Sequence, residues 1–253
     1  MEKLPAYTKK SVQSSLISLA SLVFIKSIIL SHVPVSPTST TSYIKLIENA
    51  LTSNTEITQQ TAAEALGAMG QTGIPLTPKV DKWLSNLGGK ATFIMRRGWA
   101  TAFGYVLSGK IEEIISALCD TIERDVDVEV RRNAVQSIGL IATRQDLQAL
   151  KDRVWGILSG CLDDYTVDSR GDVGSWIRIA ACESMIPLLK GGGDSTVIGK
   201  LLRLSVERMD RVRVAAGKTL LSIPKDVLDG KVIQFLDGYE VWKRGVNGQD
   251  DGG

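Results

Sequence analysis

The sequence is poor in the residues that usually carry catalysis: one histidine, three cysteines and 6% aromatics in 253 residues. His32 lies at a helix end beside prolines. Ser-His-Asp and Cys-His catalysis and histidine-rich metal sites are therefore set aside, and a surface or capping role is expected for it. Cys119, Cys161 and Cys182 share no Cys-x-x-Cys spacing. An odd number of apolar-flanked cysteines fits reduced, buried thiols. Charge of one sign is also missing: 30 basic and 28 acidic residues leave +2, without the clustered basic face that nucleic acid requires. No segment alternates apolar and polar residues with period two for long, so essentially no sheet is expected. Val12 to Leu30 is largely apolar and follows Lys9 and Lys10, but Lys26 and five serines dilute it. It reads as a buried helix rather than a membrane or signal segment.

Ala, Leu and Ile are abundant, and they point to helices. A first helix is expected from about Ser11 to Ser31. Two prolines in Val33–Thr41 interrupt it, and further helices cover about Ser42–Thr52 and Glu56–Met69. Thr77 then caps a helix with Pro78 at its first position. From there a pattern recurs. Arg96, Arg131, Arg178 and Arg213 each open a helix with a small or apolar residue four later and a large apolar residue seven later, and Gln59 heads a weaker copy. That spacing defines one helix face. The intervals are 37, 35, 47 and 35 residues, the period of two-helix HEAT and armadillo units. The partner helices are Ile111–Glu123, Asp146–Gly160 and Ser195–Met209. Ala62, Ala134, Ala181 and Ala216 match in register, with Trp99 as the exception, and small residues there let helices pack closely. The expected fold is an all-α, HEAT/armadillo-like α-solenoid of about five to six helix pairs. Residues 1–40 hold an N-terminal helix and a Pro/Ser-rich connector, 41–238 the repeats, with a last helix to about Leu236, and 239–253 a polar, disordered tail.

The long interval contains a polar stretch from Asp163 to Arg178. Asp163, Asp164, Asp168 and Asp172 lack the spacing of a calcium loop, and Asp172 is placed to cap the following helix. Gly217-Lys218-Thr219 lacks the glycine that a phosphate loop needs at position 212, which is Val212. No cofactor, no metal and no catalytic residue is expected. The recurring arginines read as a structural ladder with turn aspartates, Asp127 with Arg131 and Asp210 with Arg213. The other reading is an arginine-lined surface that grips an acidic partner, with Arg97 and Arg132 projecting elsewhere and exposed.

Leu162 to Arg178, with its Asp-Ser-Arg-Gly-Asp-Val-Gly-x-Trp core, resembles the C-terminal region of the tubulin-folding cofactor D family. Arg96 to Gly104 resembles the same family's Arg-Arg-Gly-Phe helix. The similarity covers about residues 40–235. Family members are much longer, so the chain is expected to be a fragment, a truncated product or a stand-alone remnant. The resemblance implies a non-enzymatic, cytoplasmic partner of β-tubulin or αβ-tubulin, acting after the chaperonin with other folding cofactors and an Arf-like small GTPase in dimer assembly and disassembly at the microtubule cytoskeleton. Neither nucleic acid nor a membrane is implied. A GTPase-activating contribution through Arg170 or Arg178, and a generic HEAT scaffold, are the alternatives. The expected partner-binding residues are Asp163, Asp164, Tyr165, Asp168, Arg170, Asp172, Trp176 and Arg178, with Arg97 and Arg132.

Overall fold

The structure, a computed structural model, describes residues 6–247 apart from 33, 192 and 193. The chain forms two compact units, residues 1–141 and 142–253. In the first, α1 (Ala6–Leu30), α2 (Pro37–Ala50), α3 (Glu56–Gln71), α4 (Val80–Leu84), α5 (Phe93–Phe103), α6 (Ile111–Arg124) and α7 (Val128–Ala142) follow in order. The second holds α8 (Lys151–Cys161), a hairpin of β1 (Val167–Asp168) and β2 (Gly171–Asp172), α9 (Gly174–Met185), α10 (Ser195–Leu204), α11 (Asp210–Leu221) and α12 (Gly230–Asn247). The fold is all-α and of the HEAT/armadillo helical-repeat class. Among the described residues no helix is long and apolar enough to cross a membrane.

Each repeat pairs a helix that carries the repeating arginine, or Gln59 in α3, with a partner helix. Helices of the ladder position stack on one another, α3 on α5 in the first unit and α9 on α11 in the second, and α1 packs on α3. The small residues explain how. Ala62, Ala134, Ala181 and Ala216 are all fully buried, and Trp99 is buried where the others have alanine. There Trp99 lies 5.3 Å from Trp83 and 5.8 Å from Phe103, ring centre to ring centre, so the tryptophan is packed in an aromatic cluster. Gly98 lets α5 touch the end of α2: a Cβ there would fall 1.9 Å from the Leu51 carbonyl oxygen.

A second register recurs. Six residues after Arg131, Ser137 Oγ donates to the Ala100 carbonyl at 2.6 Å; six after Arg213, Thr219 Oγ1 donates to the Cys182 carbonyl at 2.8 Å. Ala100 and Cys182 each lie four residues past their own arginine, so both junctions use the same pair of positions. Buried hydroxyls need a partner, and here the partner fixes the longitudinal register of two stacked helices.

Several expectations meet differences. A two-residue-per-strand hairpin stands where no sheet is expected. The first helix does end before the prolines, but the second starts at Pro37 rather than at about Ser42, with Ser36 accepting the Ser39 N–H as N-cap. Thr77 does not cap its helix; its hydroxyl accepts the Gly109 N–H. The final helix passes Leu236 and continues to Asn247, through residues 239–247 of the expected tail, and 248–253 lie outside the described residues. His32 ends α1 with a left-handed φ of 54°.

Candidate functional site

The recurring arginine position has one structural job. Its side chain reaches back to carbonyls at or after the end of the preceding segment. Arg96 Nη1 donates to the Ala91 carbonyl, Arg131 Nε to Ile122, Arg178 Nη1 to Asp164 and Arg213 Nη1 to Glu207. Gln59 does the same with its amide, donating to Leu51, Ser53 and Ile94 carbonyls. Helix C-termini leave carbonyls unpaired and carry partial negative charge, so a cationic donor is the natural cap. The ladder with turn aspartates holds for Arg213, which pairs with Asp210. It fails for Asp127: that carboxylate accepts the Glu129 and Val130 N–H groups at the start of α7 and holds Arg97, at 2.8 Å from Nη2.

At Arg178 the contact is elaborated. The backbone leaves α8, turns through Asp163–Thr166, makes the hairpin, and re-enters α9. Arg178 is 1% exposed. Besides the Asp164 carbonyl at 2.5 Å it donates to Asp172 at 2.7 Å and Glu207 at 3.3 Å. Its guanidinium lies 4.1 Å from the centre of the Tyr165 ring, and Tyr165 Oη donates to Glu207 Oε1 at 2.6 Å. The carboxylates of Asp172 and Glu207 outweigh burial and raise the arginine's pKa further. Burial and the Glu207 hydrogen bond push the Tyr165 phenol up. Arg178 Nε is buried and has no hydrogen-bond partner among the described residues. The flat guanidinium is therefore held by its two outer nitrogens and by the tyrosine face.

The aspartates divide their tasks. Asp163 is gripped from α10 by Lys200 at 2.7 Å and by Arg203. Burial works against the charge, yet these two cations hold the Asp163 carboxyl below its ordinary range. Asp164 is buried and accepts the Thr166 N–H. Asp172 Oδ1 accepts the Ser175 N–H at the start of α9, as expected of a cap. Asp168 accepts the Arg170 N–H and pairs with its guanidinium at 2.6 Å, the main cause of its lowered pKa. Among the described residues no three cysteine, histidine or carboxylate side chains converge to hold a metal. These carboxylates are directed at cations and backbone N–H groups instead.

Two glycines make the turn possible. Gly171 has φ of 101°, a conformation that strains any side chain. Gly174 passes so close to the loop that a Cβ would sit 2.4 Å from the Asp164 carbonyl and 2.6 Å from the Thr166 nitrogen. The result is a fixed base and an exposed tip. Val167 is 70% exposed, and Arg170 stacks at 5.0 Å over Trp176.

Of the ten expected residues, the eight from Asp163 to Arg178 are gathered here. Arg97 and Arg132 belong to the first unit. There Arg97 pairs with Asp127 and Glu129, and Arg132 with Glu56; both are half-buried rather than freely exposed. Glu207, Lys200 and Arg203 were not anticipated. They come from the next repeat: Lys200 and Arg203 share a face of α10 by their spacing of three, and Glu207 lies in the connection after it. Cys182, under this junction, is a buried structural thiol with its pKa pushed up to about 12, chiefly by burial.

Helical repeats interrupted by one braced hairpin with an exposed tip define a class: all-α repeat proteins that carry a surface excursion. Comparison with known proteins narrows the class. The family described as tubulin folding cofactor D, C terminal, matches residues 195–238, which span α10, α11 and the start of α12. Tubulin-specific chaperone D of Dictyostelium discoideum is 23% identical over 163 residues, covering 46% of this chain and 11% of that protein. The chain resembles the C-terminal region of tubulin folding cofactor D and covers about a ninth of this relative's length. Among solved structures, the crystal structure of an engineered protein aligns over 88% of this chain and 95% of that one, with a TM-score of 0.49 and 18% identity. A designed armadillo repeat protein aligns over 81% and 93%, with a TM-score of 0.44 and 16% identity.

Proposed function

We propose that the chain is a tubulin-cofactor-type binding module that contributes to β-tubulin folding and to αβ-tubulin dimer assembly and disassembly, and that it works in the cytoplasm at the microtubule cytoskeleton. The observation that carries this reading is the braced hairpin inside the family-like motif. A loop held by a buried arginine, three aspartates and two obligatory glycines loses little freedom when a partner docks on it, and pre-organisation of this kind favours affinity. Within the motif the tasks separate. Asp163, Asp164, Asp172 and Arg178 brace; Val167, Asp168, Arg170 and Trp176 are offered to the partner, with Tyr165 between the two sets. Arg170 and Trp176 form a cation–π pair at the tip, and arginine and tryptophan are the residue types that dominate binding energy in interfaces.

The test is tubulin binding to the immobilised chain, wild type against Arg170→Ala and Trp176→Ala. Each variant should weaken binding about tenfold or more, as central arginine and tryptophan anchors do. Unchanged affinity in both would remove the hairpin tip as the contact, and no binding by the wild type would remove the module reading.

A second reading, GTPase activation on tubulin or a small GTPase, is favoured by the exposed position of Arg170, since a guanidinium supplied in trans can stabilise phosphoryl transfer. Arg178, buried and committed to two carboxylates, cannot serve there. Single-turnover GTP hydrolysis with the wild type and with Arg170→Ala separates activation from binding alone.

A further inference from the structure

The first unit carries a groove that the hairpin reading does not use. One position after each ladder residue, α3, α5 and α7 present Gln60, Arg97 and Arg132. Four residues further come Glu64, Thr101 and Gln136, and four beyond those Ala68, Tyr105 and Leu140. The repeat register therefore brings Gln60, Arg97, Thr101, Arg132 and Gln136 to one side of α3, α5 and α7, and Tyr105 follows the end of α5. Two hollows lie on that side. One of about 200 Å³ is edged by Glu56, Arg97, Glu129 and Arg132. The other, about 280 Å³, is edged by Gln60, Thr101, Tyr105 and Gln136. Asn133 lines both, so the two hollows adjoin on this side of α3, α5 and α7. Stacked helices lie about 8–10 Å apart. Two such spacings match about five or six residues of extended chain at about 3.3 Å each.

The lining is mainly polar and hydrogen-bonding, which suits a main chain better than an apolar side chain or a lipid. Tyr105 Oη accepts from Gln60 Nε2 at 2.6 Å, which leaves its own proton to donate. The exposed Gln136 amide has no protein hydrogen bond among the described residues.

Charge at one end is held in reserve. Arg97 is neutralised by two acids of its own unit, Asp127 and Glu129. Arg132 has one, Glu56, at 2.7 Å, and that glutamate side chain is 76% exposed at the first turn of α3. Asn133 Oδ1 meanwhile fixes the guanidinium plane, accepting from Nε at 3.1 Å and Nη2 at 3.0 Å. Nη1 has no protein partner among the described residues. The guanidinium is thus oriented independently of Glu56, and an incoming carboxylate can take Nη1 and Nη2 together, the strong geometry for an arginine.

We infer that this groove binds an extended polypeptide segment bearing acidic side chains. Arg132 exchanges Glu56 for a carboxylate of the ligand, and Gln60, Tyr105 and Gln136 pair with its main chain. Glu56 acts as an internal competitor that occupies the anchor until an acidic segment displaces it. The site shares no residue with the hairpin, so either can fail while the other stands.

The experiment uses the full chain and three fluorescein-labelled ten-residue peptides, alternating Glu-Ala, Gln-Ala and Lys-Ala, read by fluorescence anisotropy. The Glu-Ala peptide should bind at least about tenfold more tightly than the Gln-Ala peptide, the equivalent of one charge-assisted pair. The Lys-Ala peptide should not bind. Arg132→Ala should lower affinity for the Glu-Ala peptide about tenfold. Gln136→Ala should lower it a few-fold, the loss of one neutral hydrogen bond. Glu56→Gln should raise it a few-fold, because an exposed ion pair no longer competes. That gain cannot arise from a folding defect, and an unchanged melting temperature for Arg132→Ala checks the loss. No binding of the Glu-Ala peptide, equal binding of the Lys-Ala peptide, or weaker or unchanged binding by Glu56→Gln overturns the proposal.

Discussion

Arg96 and Arg178 hold the same position of their repeats, yet their surroundings differ in kind. Arg96 caps one carbonyl and pairs with one acid, Asp125, and its side chain is 14% exposed. Arg178 caps one carbonyl, pairs with Asp172 and Glu207, covers the Tyr165 ring and is buried. The difference teaches how a surface excursion can be added to a helical repeat. The contact shared by both positions, a guanidinium on a preceding carbonyl, is present in each. The longer connection is then folded around it, so the carbonyl that Arg178 caps belongs to the excursion itself.

The contrast is open to direct attack. Arg178→Met should cost about 3 kcal/mol or more, because it leaves Asp172 and Glu207 facing each other without a cation. Arg96→Met should cost about 1–2 kcal/mol, with a single acid left unpaired. Urea denaturation of the two variants measures both, and equal losses would erase the distinction. The next effect in size is steric. Gly174→Ala should cost about 1–3 kcal/mol, since the added methyl meets backbone that cannot rotate away. Gly156→Ala on α8 meets nothing within 4 Å and should instead stabilise by about 0.5–1 kcal/mol, as a helix-interior glycine replaced by alanine does. A smaller effect is tied to pH. The folded Asp163 carboxyl has a depressed pKa, so its contribution is present above the ordinary carboxylate value, about 3.9. It is lost as pH falls through the lower folded value. Melting temperatures of wild type and Asp163→Asn should therefore differ at neutral pH and converge as the pH drops below about 4. Smallest of all, Arg170→Ala should change stability by no more than about 0.5 kcal/mol, because its ion pair and ring contact are on the surface. A large loss there would mean that the tip also braces.

Much of this was legible in the residues. The 3.6-residue face, the arginine period and the matching alanines gave the helical repeats, because stacking places the same chemistry at the same register each time. The aspartate cap at Asp172 was readable from its position before a helix. The hairpin was not. Its strands are two residues long, and its base is held through Asp163, Tyr165 and Arg178 by Lys200, Arg203 and Glu207, which lie 29 to 42 residues from their partners in sequence. Period-two alternation cannot register in so short a ladder. The glycines at 171 and 174 were visible as letters, but the reason for the second one, a backbone 2.4 Å from its missing Cβ, is a fact of three-dimensional approach. Asp127 misled for a related reason. Helical spacing offered it Arg131, whereas stacking brought Arg97 from the neighbouring helix with a better two-pronged geometry.

The grip of α10 on Asp163 and Tyr165 bears on how this surface can be moved. A peptide copied from Asp163 to Arg178 would carry the tip but leave behind Lys200, Arg203 and Glu207, and with them the far wall of its socket. The smallest transplantable cassette therefore begins in α8 and ends after Glu207. Grafted whole between two repeats of another solenoid, it would bring its own scaffold with it.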